Sequence, residues 1–288
     1  MTQILAGKPV AEAMAEMIRE KLNFFQERGV TPSLAIVQFG DDAAAAMYGQ
    51  SLRKKAEQAG LKVRCESHGA DVDEKAALAI LEDLNAAEDI DGILLLMPLP
   101  GNWDTEAFVR NLSPAKDIDG ITPTQAGLLA TGRPALVPAT ARACLAVLAH
   151  YGLPMEGKHA VVIGRSDVIG KPVARLLLAE NATVTICHSR TRDLPAMTRQ
   201  ADILVAAVGK PEMVGVEMVN PQAVVLDVGI HRVEGRTTGD TDPRLAEHVQ
   251  AYTPVPGGIG AVTTAMMMDN VLEAAAMRRG WSFAELKK

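Results

Sequence analysis

Hydrophobic positions along this chain fall into two alternating patterns. Short runs of consecutive aliphatic residues, many β-branched, are followed by longer stretches in which apolar side chains recur every three or four positions. The first pattern marks strands buried on both faces and the second marks amphipathic helices. Read in order, it predicts a helix over residues 6–26, a strand over 33–39, a helix over 43–58, a strand over 62–66, a helix over 74–85 and a strand over 92–96. Residues 113–133 carry Pro, Gly and Asp with weak periodicity and read as a link between two lobes. Beyond the link, a helix is expected over 139–151, strands over 159–163, 182–186, 203–206 and 224–227, a helix ending at 180, and a last helix from 263 to about 279. Strands alternating with helices make this an α/β protein built on parallel sheets.

Two of these strands end in unusual chemistry. The run Gly92-Ile-Leu-Leu-Leu-Met-Pro-Leu-Pro100 must stop being a strand at its prolines, which leaves an open strand end of the kind where α/β sheets place ligands. The segment Gly164-Arg-Ser-Asp-Val-Ile-Gly-Lys-Pro172 follows a strand and opens a helix, so its backbone N–H groups and the positive helix end can hold a pyrophosphate. Here Ser166 replaces the second glycine of the usual G-x-G-x-x-G pattern, and Ile169 precedes a displaced third glycine, Gly170. An NAD site has a carboxylate at the end of the next strand, about 20 residues on, to bind the ribose hydroxyls. That strand end reads Cys187-His188-Ser189-Arg190-Thr191. With no carboxylate to repel a 2′-phosphate, and with Arg165, Ser189 and Arg190 able to bind one, NADP is favoured over NAD.

The 288 residues are about twice a usual domain, in keeping with two lobes, and the composition of 48% apolar and 22% charged residues is that of a globular protein. A net charge of −6 and only 3% aromatic residues exclude a general electrostatic or base-stacking case for nucleic acid. No apolar run approaches the ~20 residues of a membrane span. Cys65, Cys144 and Cys187 have no metal-type spacing and read as buried, reduced thiols of a cytoplasmic protein. Asp117 and Asp119 lack the His or phosphate motif that would make them a metal pair, so no metal is expected.

Several segments together resemble the methylenetetrahydrofolate dehydrogenase/cyclohydrolase family. They are Pro114-Ala-Lys-Asp-Ile-Asp-Gly120, the Gly164–Pro172 segment, Ala182-Thr-Val-Thr-Ile-Cys-His-Ser-Arg-Thr191, Asp227-Val-Gly-Ile230 and Thr253-Pro-Val-Pro-Gly-Gly-Ile-Gly260. The resemblance implies a folate lobe over residues 1–120, to which a C-terminal helix, 263–288, returns, a Rossmann-type NADP-binding lobe over 139–262, and a cleft between them. It also implies a cytoplasmic homodimer. Tyr48 and Asp119 match the family groups that pack on and hydrogen-bond the pterin. Pro98, Leu99, Pro256, Gly257 and Gly258 match positions lining the substrate, and Ile230 matches a cofactor contact.

Two positions depart from that pattern. The family's catalytic Lys, four residues after the Tyr, is Leu52 here, and the Gln that supports that Lys is Leu96. Losing one partner strands a buried polar group, whereas replacing both with apolar side chains can be nearly neutral, so the two changes read as one joint repacking. Leu52 and Leu96 would then form an apolar substrate wall. Further departures are Ala45 for a Ser, Ala139 for a Cys and Ala261-Val262 for Pro-Met.

The implied chemistry is oxidation of 5,10-methylenetetrahydrofolate by NADP, followed in the family by hydrolysis of the methenyl product. Hydride transfer rests on positioning, but water attack needs a proton acceptor that Leu52 cannot supply. Lys55, seven residues after Tyr48, returns to nearly the same helix face and could reach back. Arg53, Lys54, Lys55, Lys62 and Arg64 form a basic face suited to solvent or to the glutamate tail of folate. The alternatives are a degenerate folate- or NADP-binding protein and an oxidoreductase for another substrate.

Overall fold

The computed structural model describes residues 1–69 and 71–281. Its elements are β1 (Gln3–Ile4), α1 (Gly7–Gln26), β2 (Ser33–Phe39), α2 (Ala43–Ala59), β3 (Lys62–His68), α3 (Glu74–Ala86), β4 (Gly92–Leu95), α4 (Thr105–Asn111), α5 (Pro123–Ala130) and α6 (Ala139–His150). There follow β5 (His159–Ile163), α7 (Gly170–Ala179), β6 (Thr183–Cys187), α8 (Leu194–Thr198), β7 (Ile203–Ala206), β8 (Val224–Asp227), β9 (His231–Val233), β10 (Arg236–Thr238), β11 (Ala251–Tyr252) and α9 (Ile259–Arg278). The part of the expected C-terminal helix beyond residue 281 lies outside the described residues.

The chain forms two compact units, Met1–Met14 with Pro138–Met266, and Ala15–Val137 with the chain from Met267 onward. This division departs from the expected lobes 1–120 and 139–262 at the N-terminus. β1 pairs with β11, and Tyr151 Oη donates to the Ala6 carbonyl at 2.8 Å, so the first residues pack in the nucleotide-binding unit. The expected link 113–133 is not a plain linker, because it contains α5. Thr122 accepts the Gln125 N–H at 3.3 Å as N-cap and Pro123 opens the helix, a start signal that outweighs the weak periodicity.

In the first unit six parallel strands run in the order β1-β11-β8-β7-β5-β6. The order reverses beside β5, the first strand of the βαβ unit made by β5, α7 and β6, and such a reversal opens a crevice at the strand ends. In the second unit three parallel strands run β3-β2-β4. One face, with Ala35, Val37, Phe39, Ile93 and Leu95, packs on Ala77, Leu81 and Leu84 of α3 and Phe108 of α4. On the other face α2 approaches closely enough that a Cβ at Gly49 would meet the Leu96 side chain at 2.8 Å.

The C-terminal half of α9 completes this second core through polar ties. Asn270 Nδ2 donates to the carbonyls of Ile118 and Val137 at 2.7 and 2.8 Å, and Lys21 pairs with the buried Asp269. Asp91, 1% exposed, accepts the Ser33 N–H at 3.0 Å and pairs with Arg278 at 2.8 Å and Arg279 at 2.6 Å. Replacing Asp91 leaves two guanidinium groups, 20% and 28% exposed, without their shared carboxylate. Because water and backbone carbonyls still reach them, the cost stays below the ~3–5 kcal/mol of a fully buried pair, nearer the roughly 1.5–3 kcal/mol of a charged hydrogen bond. Asp91→Ala should therefore lower the urea midpoint by a corresponding amount, with an unchanged m-value, in equilibrium denaturation followed by circular dichroism.

Candidate active site

In the nucleotide-binding unit a cavity of about 480 Å³ opens at the ends of β5, β6 and β7. Ile163, Gly164 and Arg165 supply one side and His188, Ser189 and Thr191 another, with Leu194, Val208, Lys210 and Met213 closing it. Gly164 has φ +127°, and a Cβ there would collide with the Ala207 carbonyl, so this turn requires glycine. A Cβ at Gly170 would collide with the Gly164 carbonyl, which is why the helix can start against the strand. No carboxylate lines the cavity, while Arg165 and Lys210 do, and this charge pattern suits a phosphorylated nucleotide.

Several of the expected contact residues help build the surrounding turns. The Ser166 hydroxyl accepts the N–H of Ile169 at 3.2 Å and of Gly170 at 3.4 Å, so Ser166, Ile169 and Gly170 build the turn and do not line the cavity. Arg190 is also absent from the lining; its N–H donates to His188 Nδ1 at 3.1 Å, and Thr191 Oγ1 accepts the His188 N–H at 2.9 Å. These bonds close the tight turn that presents Ser189. Lys210, Val208, Leu194 and Met213 were missed by sequence reasoning, although the Ala207-Val-Gly-Lys210 strand end carried the same open-end signal as the others.

A second cavity of about 270 Å³ lies in the same unit, lined by Asp227–Ile230, Thr237 and Pro254–Ala261, and so by Ile230, Pro256, Gly257 and Gly258. Two buried carboxylates hold the loops that border these cavities. Asp227 accepts the N–H of Gly229, Asp240 and Thr241, each at 2.9 Å, and the Thr241 hydroxyl at 2.6 Å. Asp240 accepts the N–H of Val208 at 2.5 Å and of Gly209 and Lys210 at 3.1 Å. Burial raises the Asp227 pKa, and the bonds it accepts act against that rise.

In the second unit Tyr48 is 44% exposed, and its hydroxyl meets Met267 Sδ at 3.7 Å. Burial, and then the Asp119 charge, push its phenol up to about 12. Burial and the neighbouring Asp117 push the Asp119 carboxyl up to about 7. Pro98 is exposed, but Leu99 is 9% exposed and belongs to the core around Phe39 and Phe108, so it faces inward and not a ligand. Leu52 is likewise 2% exposed and a core residue, contrary to its expected place in a substrate wall. Leu96, 5% exposed, borders a cavity of about 170 Å³ together with Gly49, Arg53 and Cys65. Lys55 is exposed, and Arg53 and Arg64 of the basic face pair with Glu57 and Glu66 at 3.1 and 2.6 Å. Cys144 and Cys187 are buried as expected, but Cys65, on the edge strand β3, is exposed and borders the cavity beside Leu96.

A parallel sheet with an open glycine turn, joined to a second α/β unit bearing a Tyr–Asp pair, defines a two-unit α/β protein with a Rossmann-type nucleotide-binding half. Residues 138–279 match the NAD(P)-binding domain of tetrahydrofolate dehydrogenase/cyclohydrolase, and residues 5–119 match its catalytic domain. The chain belongs to that family. It is 45% identical over 277 residues to the bifunctional protein FolD of Thermus thermophilus, covering 96% of this chain and 97% of the relative. The FolD of Desulforamulus reducens is 42% identical over 281 residues, covering 97% and 99%. Among solved structures, the bifunctional FolD of Campylobacter jejuni superposes with TM-score 0.93 at 34% identity, covering 96% of this chain and all of that one. The Trypanosoma brucei FolD, solved with NADP cofactor and inhibitor, gives 0.87 at 33% identity, covering 97% and 98%. Among the described residues no helix is long and apolar enough to cross a membrane.

The Asp119 carboxyl prefers its protonated form in the folded chain, because folding raises its pKa from 3.8 to about 7. Its contribution to stability is therefore complete below about pH 4 and is lost as the pH rises through about 7. Asp119→Asn should gain stability relative to the native chain across that interval, by at most about 1.4 kcal/mol per pH unit, and urea midpoints at pH 5 and pH 8 measure the difference.

Proposed function

We propose that this chain oxidises 5,10-methylenetetrahydrofolate to the methenyl form with NADP, in one-carbon metabolism, and that its methenyltetrahydrofolate cyclohydrolase step is lost or much weakened. Family membership and the carboxylate-free nucleotide cavity support the first part. The observation that carries the second is the burial of Leu52 at 2% and Leu96 at 5% exposure. The apolar pair fills that space as core and leaves no side-chain amine at the position where the family pattern has its Lys.

The Gly164 turn and Arg165 would hold the cofactor phosphates, with Ser189 and Lys210 bordering the same cavity and Ile230, Pro256 and Gly257 at the second one. Bound there, NADP supplies a hydride acceptor, and the protein then has to position the reactants without itself taking up a proton. Tyr48 offers a partly exposed ring for packing against a pterin, and ionised Asp119 accepts N–H bonds from the pterin edge. Hydrolysis of the methenyl cation requires a group that takes a proton from water, help worth about 10²- to 10⁴-fold. The Tyr48 phenol, at about 12, stays protonated at neutral pH, and Leu52 has no proton to exchange. A homodimer, implied by the sequence resemblance, belongs to the same reading.

Mixing the protein with NADP and 5,10-methylenetetrahydrofolate should produce NADPH while methenyltetrahydrofolate accumulates, and Leu52→Lys/Leu96→Gln should shorten the life of that product. Absence of NADPH would overturn the dehydrogenase reading in favour of a binding protein, and rapid decay of the methenyl form in the native chain would overturn the loss of hydrolysis. A second expectation concerns pH. Since ionised Asp119 accepts N–H bonds more strongly, and on both oxygens, than the protonated carboxyl does, KM for the folate should fall between pH 6 and pH 8, by up to about tenfold, following the ionised fraction of a group near 7. Initial rates at saturating NADP across that range give the comparison.

A further inference from the structure

One polar side chain beside the nucleotide cavities is not used by this reading. His231, the first residue of β9, meets Asp240 Oδ1 through Nε2 at 2.7 Å, with its ring 20% exposed and the Asp240 side chain fully buried. Asp240 is also the acceptor for three successive backbone N–H groups, those of Val208, Gly209 and Lys210. Val208 and Lys210 line the larger cavity, and Ala207, next in the chain, lies against Gly164 so closely that a Cβ there would collide with its carbonyl. The setting of one carboxylate thus fixes the loop 208–210 and, through Ala207, the glycine turn.

Two bonds reach each Asp240 oxygen: the Val208 and Gly209 N–H groups on Oδ2, and the Lys210 N–H and the His231 ring on Oδ1. His231 is the side-chain donor in this set, and it comes from outside the loop. The other carboxylate nearby, Asp227, accepts the Asp240 N–H and holds the backbone of this residue but not its side chain. Without the imidazole, Oδ1 keeps only the Lys210 N–H, and the carboxylate can turn about its Cβ–Cγ bond and release the loop. Gly229 fits beside Asp240 only because it lacks a Cβ, so Asp240 also borders the backbone of the second cavity.

We infer that His231 is a positioning residue for the nucleotide cofactor, acting through Asp240 on the loop 208–210. The inference rests on the NADP reading above. Its test compares His231→Leu with His231→Gln, whose amide can still donate to Asp240. In protein without cofactor, hydrogen exchange at the 208–210 amides should accelerate about tenfold or more in the Leu variant, the scale expected for losing a bond to a charged acceptor, and return toward native in the Gln variant. The NADP dissociation constant by calorimetry and the KM for NADP should rise by a similar factor in the Leu variant, with kcat at saturating NADP and KM for the folate within about twofold of native. Unchanged exchange at 208–210 in the Leu variant overturns the inference, as does equal loss in both variants spread evenly over the unit. If the native chain binds no NADP, the NADP reading falls and with it the cofactor role of His231, whereas altered exchange with unaltered NADP affinity defeats this inference alone.

Discussion

The nucleotide-binding unit depends on two carboxylates held inside it, Asp227 at 1% and Asp240 at 0% exposure. An ionised carboxylate removed from water is strongly disfavoured unless hydrogen-bond donors surround it. Here the donors are backbone N–H groups of the segments that follow β7, β8 and β10, joined by the Thr241 hydroxyl and the His231 ring, so satisfying the carboxylates and shaping the cavity borders are coupled. Gly229 and Gly239 lie where a Cβ would strike Asp240 and Asp227 respectively, and their lack of side chains lets the backbone close around each charge. The loops bordering both cavities are thereby fixed by core electrostatics as well as by their own turn chemistry.

The second unit resolves its polar groups differently. Leu52 on α2 and Leu96 just beyond β4 are both buried, and Gly49 leaves room for the Leu96 side chain; the sequence resemblance implies a polar Lys and Gln at these two positions. Such a replacement of both partners removes desolvation penalties together with the interaction, so it need not reduce stability. What remains ionisable beside Tyr48 is Asp119, moved toward neutrality by burial and by Asp117. On the reading proposed above, the unit keeps groups that can hold a folate ring and has no amine at position 52 to move a proton.

Much of the architecture was legible in the chain. Strands 33–39, 159–163, 203–206 and 224–227 form on the apolar runs that predict them, because a strand buried on both faces is written as a near-continuous apolar stretch. Short elements were not legible. β1 and β11 are two residues each and exist because they pair with strands far away in sequence, and α5 was hidden in a segment whose Pro and Gly content suggested a link. The glycine turn and the Cys187–Thr191 strand end pointed to a nucleotide, but they did not reveal that the Ser166 hydroxyl and the Arg190 backbone N–H would help build turns.

The sequence by itself determined the α/β class, the open strand ends and the apolar identity of Leu52 and Leu96, since these depend on local periodicity, proline placement and residue identity. Only the tertiary structure decided that Leu52 and Leu99 face the core, that Lys210 enters the nucleotide cavity, and that Asp240 gathers the 208–210 loop and His231. Burial and hydrogen bonding between residues distant in the chain are properties of the packed fold, and no local pattern encodes which carboxylate will be enclosed or which donors will reach it.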